Sequence, residues 1–197
     1  MTFRWEPAQL GVRHYWRGLG EQEGGRFPLP GAQADVFLER VRLTGVDLSR
    51  LRFDSFWAYD SEFVRCDFTR AVFGRAGLAA TTAEQRWDGR SWPVTAYREC
   101  DFTRTRLPPR AFLGNARFEN CLFDSAFVRT ASTQEAQFVG CTFRGRVKAR
   151  FWGRPDGHLD ALGRDRNDFT GNDFTAADVT GVTFRDIDLG DQRFAPA

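Results

Sequence analysis

Apolar side chains recur along this chain with a period of five residues. Between residues 36 and 80 the third residue of every five is apolar, and the first is small or apolar. The third-place residues are Leu38, Leu43, Leu48, Phe53, Ala58, Phe63, Phe68, Phe73 and Leu78. This period fits neither an amphipathic helix, which repeats near every 3.6 residues, nor a flat strand, which repeats every 2 residues.

A period of five predicts a coil that turns at regular intervals. Two apolar residues separated by one polar residue share a face of a strand, so the chain must turn once per five residues to bring the next pair inward. Four turns close a square coil of about twenty residues, and such coils are stable only when they stack. The predicted inward columns are Leu38–Ala58–Leu78, Leu43–Phe63, Leu48–Phe68, Phe53–Phe73, Phe118–Phe138 and Phe123–Phe143.

The repeat occupies three arrays, which we place at residues 36–80, 98–150 and 167–196. Two interruptions, 81–97 and 149–166, break the period. In the second array the step from Phe112 to Phe118 is six residues, which predicts a bulged corner near Gly114. Lys148 falls at a third place, where a charge cannot be buried comfortably, so we expect this array to end there.

Several of the fives are close copies of one another. CDFTR occurs at 66–70 and at 100–104, and NDFTG NDFTA ADVTG runs from 167 to 181. These resemble the motif of the pentapeptide-repeat family, in which Ala or Cys, Asp or Asn, and Leu or Phe precede two variable places. The resemblance implies an all-β fold, a right-handed quadrilateral β-helix of roughly six coils interrupted by two loops. It says little about activity, because one fold carries many functions.

The ends of the β-helix need cover, since an open coil exposes apolar side chains and unpaired backbone groups. Residues 1–35 do not keep the period, and we expect an irregular N-terminal cap, with Trp16 or Phe27 over the first coil, rather than a binding arm. Only Ala-Pro-Ala follows Phe194. The missing cover there predicts a two-fold homodimer through the C-terminal coil.

The repeat accounts for most of the unusual composition. Fourteen of the twenty phenylalanines stand at third places, so the aromatic content is attributed to the core. All four cysteines, Cys66, Cys100, Cys121 and Cys141, stand at first places, which favours buried thiols over metal ligands or disulfides. Cys121 and Cys141 are one coil apart and could approach disulfide distance, although parallel strands give poor geometry for such a bond.

Charge and hydropathy exclude some functions. A net charge of +2 gives no case for direct nucleic-acid binding. Residues 98–150 carry ten basic against five acidic residues, and 167–197 carry two against six, which is either ordinary solvated surface or a field that steers a charged partner. No apolar run predicts a membrane span and no signal peptide is recognisable, so we expect a cytoplasmic protein.

The interruptions contain the candidate site residues. Phosphate loops, nucleophile elbows, zinc motifs and dinucleotide fingerprints are absent from the sequence, so we expect no enzyme activity, cofactor or metal. His158 lies between Asp156 and Asp160, but only two histidines exist in the chain, which disfavours a catalytic site. Because Trp and Arg are typical binding hot spots, the candidate partner-binding residues are Arg86, Trp87, Arg90, Trp92, Trp152, Arg154 and His158.

Two functions follow from this reading. The first is a non-enzymatic scaffold that binds a protein partner through its two loops and the surface of the rod. It is open whether the loops project or fold back. The second comes from the resemblance: some pentapeptide-repeat proteins imitate duplex DNA, bind type II topoisomerases such as gyrase and protect them from poisons. A strongly acidic face, including the Asp47 and Asp67 column, would favour the second function.

Overall fold

The chain folds almost entirely into short strands. The computed structural model describes residues 1–10, 13–31, 34–80, 92–126, 133–155 and 159–196. The strands are β1(Arg4–Leu10), β2(Arg13–Glu23), β3(Ala34–Thr44), β4(Arg52–Tyr59), β5(Glu62–Val64), β6(Val72–Phe73), β7(Ala76–Gly77), β8(Thr95–Arg98), β9(Ala116–Glu119), β10(Leu122–Asp124), β11(Gln137–Val139), β12(Thr142–Arg146), β13(Arg150–Trp152), β14(Phe169–Thr170), β15(Asp173–Asp178), β16(Thr183–Arg185) and β17(Arg193–Phe194). A single turn of helix, α1(Leu159–Leu162), precedes β14.

The strands stack in parallel, which confirms the predicted β-helix. One sheet has the order β1-β2-β3-β5-β8-β9-β11-β14, with β4 pairing β3, β6 and β7. A second has the order β10-β12-β15-β17, and β13 pairs with β16. Within the described ranges β1 and β2 form an antiparallel hairpin, whereas the pairs that join successive coils are parallel.

The predicted inward columns are confirmed. Leu38 lies over Ala58 and Leu43 over Phe63. The rings of Phe53 and Phe73 stack with centroids 5.1 Å apart and an interplanar angle of 6°. The longest column has eight levels, so the helix has about eight coils rather than six. Its members are Phe27, Leu48, Phe68, Phe102, Phe123, Phe143, Phe174 and Phe194.

The corners explain why the repeat combines Asp with Arg. At the second place, the Asp67 Oδ1 accepts a hydrogen bond from the backbone N–H of Thr69 at 2.7 Å, and Asp101 does the same for Thr103. At the fifth place, Arg70 and Arg104 have φ of +59° and +54°. This left-handed conformation turns the chain, and the Asp side chain closes the turn from outside. The aspartates of the repeat therefore have a structural role.

Both interruptions are shorter than predicted. Tyr97, assigned to the first loop, belongs to β8 and is fully buried, with its ring 4.6 Å from Phe63 and 5.0 Å from Phe118. Phe151, assigned to the second loop, belongs to β13 and is fully buried as well. The array also does not end at Lys148, because Val147 and Ala149 point inward in its place and leave the lysine half-exposed.

The inserted residue is also placed differently. Ala111 and Leu113 are buried, whereas Phe112 is only half-buried. The prediction that Phe112 is a core residue is therefore wrong. The step of six lies between Leu107 and Leu113. The extra residue enlarges the corner that contains Pro108 and Pro109, where the Ala111 N–H donates to the carbonyl of Pro108 at 3.0 Å. A corner tolerates proline, because a proline placed there removes none of the N–H groups that form the hydrogen bonds between strands.

The two ends differ in cover. At the first coil Phe27 is 2% exposed and packs against Phe3 and Trp5, whereas Trp16 is 38% exposed and does not cover the coil. At the last coil Phe194 is only half-buried and Leu189 is 46% exposed. The homodimer through this coil stays a prediction. Among the described residues no helix has the length and apolar character that a membrane crossing requires.

Two glycines provide a test of the corner geometry. Gly45 and Gly114 have φ of +63° and +54°. A Cβ at Gly45 would meet nothing within 4 Å, whereas one at Gly114 would lie 2.1 Å from the carbonyl oxygen of Ala79. We expect Gly45→Ala to lower the free energy of unfolding by about 1–2 kcal/mol, the cost of left-handed backbone. Gly114→Ala should cost about 3 kcal/mol or more, since a backbone clash is added. Urea denaturation of both variants measures the difference, and equal losses would contradict it.

Candidate interaction surface

The predicted site residues divide into two groups. Arg86, Trp87, Arg90 and His158 lie outside the described residues. The other three, Trp92, Trp152 and Arg154, are described. Trp92 is only 6% exposed, so it folds back onto the rod, whereas Trp152 is half-buried and Arg154 is exposed.

The structure brings the two interruptions together. The backbone N–H of Trp92, where the chain rejoins the rod after the first interruption, donates to the carbonyl of Ala161 at 2.7 Å. Ala161 belongs to α1, which lies within the second interruption, 149–166. The Asn115 Nδ2 also donates to the carbonyl of Trp92 at 2.8 Å. Trp92 and Ala161, which belong to different interruptions of the repeat, are therefore held next to each other on the β-helix.

Arg164 joins the anchor points. Its Nη1 donates to the Asn115 Oδ1 at 2.7 Å, and its Nη2 donates to the carbonyl of Glu135 at 2.5 Å. Its Nε and Nη2 also lie 3.2 and 3.1 Å from the Asn167 Oδ1. Burial lowers the pKa of Arg164 from its ordinary value, and the nearby charge of Glu135 opposes this. The Arg164 guanidinium thus connects the second interruption to Asn115, which in turn bonds Trp92 of the first interruption.

Asn167 completes this polar cluster. Its Nδ2 donates to the carbonyl of Gln134 at 2.6 Å and to that of Trp152 at 2.9 Å. Sequence reasoning missed Arg164, Asn115 and Asn167. A signal existed only for Asn167, because it occupies a first place, where the repeat usually holds Val, Ala or Cys. Arg164 lies in an irregular segment and has no such signal.

A basic groove lies further along the rod. It has a volume of about 720 Å³ and is lined by Arg146, Lys148, Ala149, Arg150, Thr180, Gly181 and Thr183. A smaller depression of about 210 Å³ shares Arg150 and Thr183 with it and adds Trp152 and Arg185. The guanidinium carbon of Arg185 lies over the ring of Trp152, 4.5 Å from its centroid. Trp152 thus borders the groove instead of standing alone in a loop.

Another face of the rod carries both charges in alternation. Glu62 pairs with Arg42 at 3.0 Å and with Arg98, and Arg98 pairs with Glu119 at 2.8 Å. Arg117 continues the ladder to Glu119 at 2.5 Å and to Asp168 at 3.0 Å. The hydrogen bond from Arg117 holds the pKa of Glu119 below its usual range, against the opposing effect of burial. The ladder is nearly charge-neutral and links coils.

The aspartate column is also balanced by arginine. Isolated bridges connect Asp47, Asp67 and Asp101 in successive coils. Above Asp101 the column continues through Leu122 and Thr142, so it is not a continuous acidic stripe. At the same corners stand Arg50, Arg70 and Arg104, three residues further along each five. The electrostatic field of this face therefore has both negative and positive contributions.

The four cysteines form a buried column of free thiols, as predicted. The Cys100 Sγ donates to the carbonyl of Phe63 and the Cys141 Sγ to that of Phe118, both at 3.4 Å. Burial raises the pKa of the Cys100 and Cys141 thiols well above the ordinary value. In the described ranges no group of three or more His, Cys, Asp or Glu residues could hold a metal ion.

This burial predicts low thiol reactivity. We expect the folded protein to release almost no chromophore from a thiol reagent such as 5,5′-dithiobis-(2-nitrobenzoate), because all four thiols are buried and the reagent cannot reach them. In denaturant all four cysteines should react. Absorbance at the end of each reaction counts the thiols. Fast reaction of two or more thiols in the folded protein would contradict the placement of the column.

Comparison with known proteins adds no relative. No protein-family model and no curated protein sequence matches the chain.

Proposed function

We propose that the protein is a non-enzymatic scaffold that binds a protein partner through its two interruptions. One observation carries the proposal: Trp92 and Ala161, distant in sequence and each belonging to a different interruption, are hydrogen-bonded to each other. Binding residues commonly lie on loops that a rigid framework positions. Here the framework is a stack of coils with an aromatic core, and the resemblance to pentapeptide-repeat proteins supports the same reading.

The anchoring favours a composite binding surface. A loop with only its own ends fixed loses much conformational entropy when it binds. Here Asn115 bonds Trp92 and Arg164 bonds Asn115, so the first interruption is attached to the second and has less conformational entropy to lose on binding. Arg154, exposed beside the second interruption, extends the surface. Candidate hot spots on the first interruption are Arg86, Trp87 and Arg90, because Trp and Arg dominate binding energy in many interfaces.

Affinity capture from the lysate of the native cell tests the proposal. The tagged wild-type chain is compared with a variant that replaces Arg86, Trp87 and Arg90 by serine. Whole loops should not be deleted up to residue 97 or from residue 149, since Tyr97 and Phe151 belong to the core. A matched control replaces Arg65, Arg70 and Arg104, which lie at exposed corners, by serine. Mass spectrometry with isotope labels quantifies each captured protein.

The expected result is a partner captured by the wild type and the control but at least about tenfold depleted by the loop variant, which corresponds to about 1.4 kcal/mol of binding free energy. Equal capture by all three chains would overturn the role of the interruptions. Loss in the control alone would place the binding surface on the rod.

A second candidate is a DNA-mimicking protein that binds a type II topoisomerase. The column of Asp47, Asp67 and Asp101 favours it, because the three carboxylates repeat at the spacing of the coils. The arginines at the same corners count against it. Supercoiling by purified gyrase at increasing protein concentration is the test. Inhibition that added DNA relieves by competition would support mimicry, and unchanged supercoiling at micromolar protein would exclude it.

A further inference from the structure

The wall of the basic groove departs from the period of five. From Val147 to Phe151 the buried residues alternate strictly, with Ala149 between them. The residues that alternate with them lie on the outer side of the coil: Arg146, Lys148, Arg150 and Trp152. Arg146, Lys148 and Arg150 line the groove together, and Trp152 borders the adjoining depression, so three cations and an aromatic ring form a row along one coil.

The next coil provides the opposite wall. The Val147 N–H donates to the carbonyl of Asp178, and the Thr183 N–H donates to that of Ala149, both at 3.0 Å. Between these bonds Gly181 forms the floor of the groove. A Cβ at Gly181 would stand 3.1 Å from the Lys148 Cγ, so any larger residue would crowd the row of cations.

The groove keeps an excess of positive charge. Four cations, Arg146, Lys148, Arg150 and Arg185, face two carboxylates, Asp178 and Asp186, which leaves a net charge of +2. Two ion pairs of the arginines are long and exposed, Arg146–Asp178 at 4.0 Å and Arg185–Asp186 at 3.7 Å. Such pairs contribute little. In the charge-balanced ladder on the other face, by contrast, each carboxylate forms ion pairs with one or two arginines.

We propose that this groove binds the phosphate backbone of a single-stranded nucleic acid. A groove lined by three cations of one coil suits a chain with one negative charge per repeat. The pair of Trp152 and Arg185 at the end of the row offers a surface on which a base can stack, and such platforms are typical of single-strand binding. The proposal is independent of the proposed function, because it uses neither residues 81–91 nor residues 156–158.

The charge distribution favours a single strand over a duplex. The basic row occupies one rung, and the adjacent coil carries Asp173, Asp178 and Asp186. A second phosphate strand would lie against those carboxylates and be repelled. The whole-chain charge of +2 averages this groove with the acidic coil, which is why composition gives no case for nucleic acid.

Fluorescence anisotropy of a labelled twelve-residue oligothymidylate is the direct test. The full chain is compared with a double variant, Arg146→Ser with Arg150→Ser, and with a matched control, Arg65→Ser with Arg70→Ser, which removes the same charge from exposed corners. Because all four side chains are exposed, the fold should survive, and thermal unfolding verifies it. Each chain is titrated at 50 and 200 mM salt, since each phosphate contact contributes about −0.7 to the slope of log K against log salt.

We expect the groove variant to bind at least about tenfold more weakly than wild type, and the slope to fall by about 1.4 for two lost contacts. The control should bind within about twofold of wild type. Trp152→Ala, which removes no charge, should weaken binding of the oligothymidylate but leave binding of an abasic oligomer of the same length unchanged, which isolates stacking from charge. These results together would support the proposal.

Other ligands decide the remaining outcomes. If a free nucleotide competes as strongly as the oligomer at equal phosphate concentration, the groove is a site for a single phosphate group and not for a strand. Equal binding of polyglutamate would assign the groove to an acidic protein segment, and tighter binding of duplex than of single strand would contradict the charge argument. Equal weakening in the groove variant and in the control would overturn the proposal.

Discussion

Replacing Phe123 with alanine is expected to lower the free energy of unfolding by about 3–5 kcal/mol. Phe123 is 3% exposed and its ring stacks between those of Phe102 and Phe143, at 5.0 and 5.2 Å. The cavity would lie in the middle of the eight-level column, where neighbouring coils leave little room for collapse. Urea denaturation followed by far-ultraviolet circular dichroism measures the loss.

Phe112→Ala is the matched control for this substitution. It removes the same side chain from a position that is only half-buried, outside the columns. We expect less than half of the Phe123→Ala effect, because less apolar area leaves water on folding. Comparable losses would show that Phe112, not Leu113, occupies the inward position of its coil.

Arg164→Met is expected to lower the free energy of unfolding by about 3 kcal/mol, because three acceptors lose a charged donor. These are the Asn115 Oδ1, the Glu135 carbonyl and the Asn167 Oδ1. The interruptions should also loosen relative to each other. Amide hydrogen exchange reports this directly, since the Trp92 N–H is bonded to Ala161 across the junction. We expect that amide to exchange faster in the variant.

Two further variants make this test specific. Arg154→Met removes an exposed arginine close to the same interruption, and its cost should stay within about 0.5 kcal/mol. Arg164→Lys keeps the charge but not the planar fork, so it should recover only part of the stability. An Arg164→Met chain as stable as Arg154→Met, with unchanged Trp92 exchange, would show that the cluster does not hold the interruptions.

The core could be predicted from sequence wherever the period is regular. Leu43 over Phe63 and Phe118 over Phe138 follow from a spacing of twenty residues alone. The regularity has a local cause: a left-handed residue at the fifth place and an Asp-closed turn fix the corner without help from distant segments. Such information lies within a few residues of each corner.

The sequence is less informative where coils change length. Tyr97 and Phe151 were assigned to loops because the period fails before each of them, yet both fill core positions. A stack can bridge an insertion and resume its register, since only the inward column must be continuous. The same freedom explains Leu113, which takes the inward position after a longer proline corner. A strict count of five cannot detect these shifts.

The candidate interaction surface depends on contacts that no local pattern encodes. Trp92 was a reasonable hot-spot candidate, but its burial comes from α1 and Asn115, far away in sequence. The basic groove was equally hidden, because its walls are residues 146–152 and 180–185, which become neighbours only through the stacking of coils. The predicted end of the array at Lys148 also concealed the row of cations.

The stacking of each coil on the preceding one has a consequence for folding kinetics. Most strand pairs join residues about one coil apart, so the relative contact order is roughly 0.1, in the range of helical bundles rather than of β-sandwiches. This parallel β-protein should therefore fold fast for its class. It should also unzip progressively, beginning at the C-terminal end, where the rings of Phe184 and Phe194 are only partly buried.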